Sequence, residues 1–122
     1  MSTILIADDE ARIRRLVSDF LKRDGHTIVE AADGKEALNI LENRRPGLDM
    51  AILDVMMPGM DGITAMTRLR QSHNLPVILL TACSLDEQRI QGYDGGADSY
   101  ISKPFNSQLL LSRVRNLIAN RR

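Results

Sequence analysis

The stretch that decides the fold is AILDVMMPGMDG, residues 51–62. Its short apolar run ends abruptly at Asp54, and a Pro-Gly loop follows before Asp61-Gly62 opens a helix-like pattern. Short apolar runs bounded by turn residues are typical of strands that are buried on both faces of a sheet. The pattern therefore predicts Asp54 at the carboxyl end of a central strand, where ligands and reacting groups collect in open α/β sheets.

Four other short apolar runs predict four more strands. With the central strand at 50–53, the predicted strands cover residues 3–7, 27–30, 76–80 and 98–102. Each predicted strand is followed by a segment in which apolar residues recur at helical spacing. Five strands that alternate with five helices predict a parallel sheet with helices on both faces and right-handed crossovers.

The first predicted helix has an apolar face formed by Ile13, Leu16, Val17, Phe20 and Leu21. Its basic residues are predicted outside that face, namely Arg12, Arg14, Arg15 and Lys22. Asp33 and Glu36 form a capping pattern for the second helix, and the third covers residues 62–70. A capping box at residues 84–87 opens a fourth helix, and apolar residues at helical spacing between 110 and 118 mark a fifth.

Length and composition indicate one ordinary globular domain over residues 1–122. The 16 basic residues balance the 16 acidic ones, which argues against a dedicated nucleic-acid surface. A single cysteine excludes an internal disulfide and favours a reducing compartment. There is no signal-peptide pattern and no apolar run long enough to span a bilayer, so we expect a soluble cytoplasmic domain.

Chemistry-bearing residues follow four of the five strands. In a parallel sheet the carboxyl ends of the strands share one edge, here called the carboxyl edge. The residues predicted at this edge are Asp8, Asp9, Glu10, Asp54, Thr81 and Lys103. We therefore expect acids, a hydroxyl and an amine to converge on one small area.

Carboxylates packed together raise one another's pKa or require a cation. Oxygen ligands without a nearby His or Cys suit Mg²⁺, with Mn²⁺ as an alternative. A divalent ion and Lys103 on either side of Asp54 match the needs of phosphoryl transfer, in which charge on the phosphoryl oxygens must be neutralised. Asp54 is then a candidate nucleophile that forms an acyl phosphate, and Thr81 a candidate hydrogen-bond donor to it.

These residues resemble the receiver domain of two-component response regulators, and the resemblance covers essentially all 122 residues. It rests on four motifs in chain order: Asp8-Asp9, residues 53–62, Thr81-Ala82 and Lys103-Pro104-Phe105. Each motif alone is weak evidence for the family, whereas all four motifs together, at the correct strand ends, are specific for it. The resemblance implies a flavodoxin-like (βα)5 fold, a doubly wound sheet of five parallel strands in the order 2-1-3-4-5.

The resemblance also implies roles for individual residues. Asp54 matches the phosphoacceptor, and Lys103 matches the lysine that pairs with the phosphoryl group. Asp9 matches a direct Mg²⁺ ligand, together with Asp54 and the backbone carbonyl of Met56. Asp8 matches the acid that reaches the metal through a water molecule. Such a domain is a switch rather than an enzyme, although it assists its own phosphorylation and dephosphorylation.

Three further expectations follow from the same resemblance. Thr81 matches the switch hydroxyl, and Tyr100 matches the aromatic residue whose rotamer follows it. The Lys103-Pro104 bond is expected to be cis, and only X-Pro bonds adopt cis at low cost. The side chain of Met56, two residues after Asp54, is expected to border the phosphoryl group and slow its hydrolysis.

Residues 85–90 and 95–101 are similar to the subfamily that carries a winged-helix DNA-binding output domain. Those receivers form homodimers on phosphorylation through the fourth helix, fifth strand and fifth helix, using ion pairs. Arg89, Asp98 and Arg113 stand at positions of that set.

Two other positions of the set, where acids are common, carry Ser99 and Leu109 here, so the set is incomplete. DNA binding would belong to an output domain outside this chain, and no membrane contact is expected.

The main hypothesis is a receiver that accepts a phosphoryl group from a sensor histidine kinase on Asp54, in a Mg²⁺-dependent reaction. Its surface of fourth helix, fifth strand and fifth helix then changes and controls an output, for which transcription is expected. We expect the chain to be the receiver of a longer regulator. The alternative is a stand-alone regulator that acts through protein–protein contacts.

Other classes of protein share this topology. A flavodoxin-like nucleotide binder needs glycines and free N–H groups after the first strand, where this chain has Asp8-Asp9-Glu10. A phosphoester hydrolase with an aspartyl nucleophile usually places that nucleophile after the first strand rather than the third. A receiver that takes no phosphate would have lost a key residue, and none is replaced here.

Overall fold

The computed structural model describes residues 2–44, 47–71, 74–81 and 97–120. Within these ranges the strands are β1 (Thr3–Ala7), β2 (Thr27–Ala31), β3 (Met50–Asp54), β4 (Val77–Thr81) and β5 (Ser99–Ser102). The helices there are α1 (Ala11–Arg23), α2 (Gly34–Arg44), α3 (Gly62–Arg70) and the C-terminal helix (Ser107–Ala119). The helix predicted from the capping box at residues 84–87 lies outside the described residues.

The five strands form one parallel sheet in the order β2-β1-β3-β4-β5. The predicted fold class and strand order are therefore confirmed. The strand β3 lies at the centre, and all five of its residues are buried, as the uninterrupted apolar run predicts. The observed strand ends differ from the predicted ones by one residue at most.

Side chains alternate between the two faces of the sheet and fill two separate cores. On one face, Leu5 and Leu53 pack with residues of α2 and α3. On the other face, Ile4 and Ile52 pack with residues of α1 and the C-terminal helix. The described helices thus pack their apolar residues against both faces of the sheet.

The prediction for Leu16 is wrong. This residue was expected on the apolar face of α1, but 45% of its surface is exposed. Val17 and Leu21 point into the core and are fully buried. A rotation of about 100° per residue carries Leu16 from that stripe to the side of the helix, where it lines a groove with Phe105.

The starts of α2 and α3 follow the capping rules. Asp33 accepts a hydrogen bond from the backbone N–H of Glu36 at 2.8 Å, and the Glu36 carboxylate accepts one from Ala32 N–H at 2.7 Å. Asp61 caps α3 by accepting from Thr64 N–H. These bonds satisfy donors that an isolated helix end leaves unpaired.

Among the helices within the described ranges, none combines the length and the apolar character that crossing a membrane requires.

Ser18, in the middle of α1, offers a test of the packing. Its side chain is 1% exposed, and its hydroxyl has no hydrogen-bond partner among the described residues. Replacing Ser18 by alanine is expected to raise the free energy of unfolding by about 1 kcal/mol. The change removes an unsatisfied buried hydroxyl and supplies a better helix former. Urea unfolding followed by circular dichroism measures the difference.

Ser112→Ala is the matched control, because Ser112 is an exposed serine inside the C-terminal helix. It is expected to show only the smaller gain that comes from helix propensity. Equal gains for the two variants would mean that the buried hydroxyl of Ser18 carries no penalty.

Candidate functional site

The strand register brings two acids to the same point of the carboxyl edge. Ala7 of β1 pairs with Leu53 of β3, so the next residues, Asp8 and Asp54, lie side by side. Both carboxylates are buried, with 0% and 3% of the residue surface exposed. On the other side of β3, Asp54 pairs with Leu80, and Thr81 is the next residue along β4.

Asp9 completes a cluster of three carboxylates. Oxygen atoms of Asp8, Asp9 and Asp54 all lie within 4.8 Å of one another. Asp8 and Asp54 form the buried wall of this acid cluster, and Asp9 is exposed. In the part of the chain that the structure describes, no other group of His, Cys, Asp and Glu side chains meets the same distance criterion.

Lys103 reaches into the acid cluster from the end of β5. Its Nζ lies 2.9 Å from Asp8 Oδ2, 3.3 Å from Asp54 Oδ2 and 3.5 Å from Glu10 Oε1. Its backbone N–H donates to Thr81 O at 2.6 Å, which continues the pairing of β4 with β5. The Lys103-Pro104 bond is cis, as the resemblance implies. The structure thus brings the acids and the amine of the predicted constellation together.

The charges of the site are incompletely balanced. Burial and the neighbouring Asp8 carboxylate raise the pKa of Asp54 to about 7, although Lys103 opposes both effects. Burial alone would lower the pKa of Lys103, but its contacts with Asp8 and Asp54 outweigh this and raise that pKa. The lysine therefore stays charged, while Asp54 is an acid whose ionised form needs a further cation to be favourable.

The acids of the cluster differ in how closely hydrogen-bond donors approach them. Asp8 accepts from Glu10 N–H through Oδ1 at 2.9 Å and from Lys103 Nζ through Oδ2 at 2.9 Å. The contacts of Asp54 are longer, 3.4 Å from Oδ1 to Met56 N–H and 3.3 Å from Oδ2 to Lys103 Nζ, and Asp9 is exposed. Oxygen atoms of Asp9 and Asp54 are therefore more available for direct coordination than those of Asp8. Clustered carboxylates of this kind fit a hard cation such as Mg²⁺.

Two glycines hold the loop after β3 close to the site. A Cβ atom on Gly62 would overlap the backbone carbonyl oxygen of Asp54, and one on Gly34 would overlap that of Met60. The N–H of Gly62 donates to Val55 O at 3.0 Å, which closes the loop. Only glycine allows this close approach of helix start and loop. The loop leaves the Met56 side chain 51% exposed beside Asp54.

Thr81 and Tyr100 occupy different environments. Thr81 is fully buried, and its Oγ1 lies 3.5 Å from Ser102 Oγ. Tyr100 pairs with Leu79 in the sheet, but its side chain points outward and is 41% exposed. The hydroxyl therefore lies at the carboxyl edge, whereas the ring lies at the surface.

The residues predicted for the dimer surface make contacts within the chain. The Asp98 carboxylate accepts from Arg70 at 2.9 Å and from Val77 N–H at 2.7 Å. Arg113 donates to Ser99 Oγ at 2.7 Å. Arg89 lies outside the described residues. The dimer role of these residues remains a prediction.

Two residues, Arg14 and Glu10, make contacts at the site that were not predicted from the sequence. Arg14 was expected to lie outside α1 in solvent, but it donates to the Asp8 carbonyl oxygen at 2.6 Å and to Glu30 Oε1 at 3.1 Å. Glu10 was expected at the edge, but not its contact with Lys103. Nothing in the sequence distinguishes Arg14 from its neighbours Arg12 and Arg15, since all three lie on one helical turn.

A family model described as "Response regulator receiver domain" matches residues 4–115, which includes all of the sheet except Thr3 and most of the C-terminal helix. The chain belongs to this family. The receiver domain is the signalling domain of two-component response regulators, so the predicted family is confirmed. The roles predicted for Asp54, Lys103, Thr81 and the acid cluster remain predictions.

Curated relatives agree with this family. The receiver domain is 45% identical to the response regulator GtcR of Aneurinibacillus migulanus over 93% of this chain and 46% of that protein. It is 39% identical to the transcriptional regulatory protein CpxR of Escherichia coli K12 over 97% of this chain and 50% of that protein. The chain thus spans about half the length of these relatives.

Among solved structures, the receiver domain of the Francisella response regulator 1452 is similar. It superimposes with a TM-score of 0.89 and 36% sequence identity, and the match covers 98% of both chains. The similarity therefore extends over the whole sheet and the helices on both of its faces.

Replacing Asp54 by asparagine is expected to stabilise the receiver domain without Mg²⁺, and more so at pH 8 than at pH 5. The carboxyl has its ordinary pKa of 3.8 in the unfolded chain and about 7 in the folded one. As the pH rises from about 4 to 7, the unfolded chain loses this proton first, so stability is lost over that range. The asparagine side chain does not ionise, so the variant does not lose stability in this way.

The gain in unfolding free energy from Asp54→Asn is expected to be larger at pH 8 than at pH 5 by at least about 1 kcal/mol, since one pKa unit corresponds to about 1.4 kcal/mol. Urea unfolding in EDTA at both pH values measures it. Asp19→Asn is the control, because Asp19 is an exposed acid of α1. A gain for Asp54→Asn that does not change with pH would contradict the unfavourable burial of this charge.

Proposed function

We propose that this receiver domain accepts a phosphoryl group on Asp54 from a sensor histidine kinase, in a reaction that requires Mg²⁺. The observation that carries the proposal is the buried Asp54 carboxylate, which lies 3.3 Å from Lys103 Nζ and beside two further acids. An aspartate in this setting is held in place and has a cation on one side. It lacks a second positive charge, which the metal ion would supply.

The metal would be held by Asp9, Asp54 and the backbone carbonyl of Met56, with Asp8 reaching it through water. When bound, it neutralises charge on the phosphoryl oxygens and favours the ionised form of Asp54. Asp54 acts as the nucleophile: one carboxylate oxygen forms a bond to phosphorus while the bond from phosphorus to the donor nitrogen breaks. Lys103 pairs with a phosphoryl oxygen of the product.

The phosphoryl group then acts as a switch. Thr81 donates a hydrogen bond to it, which requires the hydroxyl to turn from Ser102 towards Asp54. Tyr100, whose ring is exposed in this structure, turns inward in response. In energetic terms, contacts with the phosphoryl group bias an equilibrium between two states that already exist.

The output that we propose is transcription, controlled in the cytoplasm by a DNA-binding domain outside this chain. In support, the curated relative CpxR is a transcriptional regulatory protein about twice as long as the matched region. Dimer formation through the predicted fourth helix, β5 and the C-terminal helix would require Asp98 and Arg113 to exchange their present contacts with Arg70 and Ser99 for contacts across the dimer.

A site that cradles phosphate directly fits less well. Such a site needs free N–H groups after β1. Here Asp8, Asp9 and Glu10 follow β1, and Asp8 already accepts from the N–H of Glu10. The acids would repel a bound phosphate unless a cation stood between them. This arrangement favours metal-dependent acyl phosphate formation over nucleotide binding.

Incubation with acetyl phosphate and Mg²⁺ is expected to add one phosphoryl group, which intact-protein mass spectrometry detects. The adduct should disappear in Asp54→Asn and in EDTA, because the nucleophile or the metal is missing. Asp19→Asn, which removes an exposed acid of α1, should react like the unchanged protein. No adduct on the unchanged protein, or a full adduct on Asp54→Asn, would falsify the proposal.

Replacing Met56 by asparagine is expected to shorten the lifetime of the acyl phosphate several-fold. Met56 is half-exposed beside Asp54, where an apolar side chain hinders the approach of water and an amide can orient it. Loss of the adduct with time, after acetyl phosphate has been removed, measures the lifetime.

Leu109→Asn is the control for Met56→Asn. Leu109 is also exposed, at 42%, but it lies on the C-terminal helix. The lifetime in this variant should stay that of the unchanged protein. An unchanged lifetime in Met56→Asn would show that this side chain does not control hydrolysis.

A further inference from the structure

The backbone of Asp8 is held at two points, its N–H and its carbonyl oxygen. The N–H of Asp8 donates to Ala31 O of β2 at 3.2 Å. Its carbonyl oxygen accepts from Arg14 Nη1 at 2.6 Å. The carbonyl belongs to the peptide bond that leads into Asp9, so its direction sets where the chain places the Asp9 side chain relative to Asp8.

Arg14 is itself held by β2. Its Nε donates to Glu30 Oε1 at 3.1 Å, while Nη1 of the same guanidinium contacts Asp8. The side chain is 19% exposed, so it lies along the protein surface rather than extending into solvent. A planar guanidinium presents several N–H groups in fixed directions, and an ammonium group does not. Arg14 therefore links β2, α1 and the turn that carries two acids of the cluster.

We propose that Arg14 is a positioning residue of the metal site: by holding the Asp8 carbonyl, it orients the acid pair and strengthens Mg²⁺ binding. The inference rests on the proposed function, since it assigns the metal to the acid cluster. Residues that orient metal ligands commonly change the affinity by 10- to 100-fold when they are removed.

The charge of Arg14, taken alone, predicts the opposite change in Mg²⁺ affinity. A positive guanidinium close to the acid cluster repels Mg²⁺, so its removal would tighten binding if only charge mattered. If the hydrogen bond to Asp8 orients the turn, its removal weakens binding instead. The direction of the change in Kd therefore separates positioning from electrostatics.

The experiment is a calorimetric titration with Mg²⁺ alone. It is carried out on the unchanged protein and on three variants. Arg14→Ala is expected to weaken Mg²⁺ binding about tenfold. Glu30→Gln, which leaves Arg14 in place and removes its charged anchor, should weaken binding less. Arg15→Ala removes the same charge from an exposed position on the same helix and should leave Kd within about twofold of the unchanged value.

A second measurement needs no metal. The N–H of Glu10 donates to Asp8 Oδ1 at 2.9 Å, so its hydrogen exchange reports on the order of the turn. In EDTA this amide should exchange faster in Arg14→Ala than in Arg15→Ala. If Arg14→Ala does not fold, as judged by its NMR spectrum, Glu30→Gln provides both tests.

Unchanged or tighter Mg²⁺ binding by Arg14→Ala, with normal binding by the unchanged protein, would overturn the inference and leave the proposed function intact. Absence of Mg²⁺ binding by the unchanged protein would overturn both. Weaker binding by Arg14→Ala and Glu30→Gln but not by Arg15→Ala, with faster exchange of the Glu10 amide, supports the positioning role.

Discussion

The constraint on which the site depends is the meeting of two buried carboxylates at neighbouring strand ends. Because β1 and β3 pair in parallel register, Asp8 and Asp54 must lie side by side. Burial and mutual repulsion make this arrangement unfavourable. Lys103 offsets part of it by contacting both acids. The rest of the charge is left uncompensated, which is the observation behind the proposed metal site.

The surrounding structure makes this unfavourable arrangement possible. β3 is buried over its whole length, so Asp54 cannot move away without disturbing the centre of the sheet. Gly62 lets α3 begin against the Asp54 carbonyl, which closes the loop tightly. Asp8 is held through its backbone and both carboxylate oxygens. A rigid sheet thus maintains a charge cluster that would disperse in a flexible chain.

Most of the fold and part of the site follow from sequence patterns. Apolar runs and turn residues locate every strand within one residue, and the placement of acids after strands locates Asp54 at the carboxyl edge. Side-chain contacts are less predictable. The exposure of Leu16 depends on how α1 is rotated against the sheet, and the partners of Asp98 depend on where α3 ends. The spacing of apolar residues along the chain specifies neither the rotation of α1 against the sheet nor the position at which α3 ends.

The sequence by itself determined the parallel sheet, the edge at which its chemistry collects and the family. Strand patterns depend on residues that are neighbours along the chain, and the four motifs are recognised by their residue types and their order. The sequence also predicted that Lys103 and the acids converge, but only the tertiary structure decided which oxygen atoms Lys103 contacts and that Arg14 reaches Asp8. Lys103 lies 95 residues from Asp8, and Arg14 is one of three arginines on one helical turn. Whether such side chains touch depends on strand register and helix rotation, to within an ångström or so, and these are set by packing.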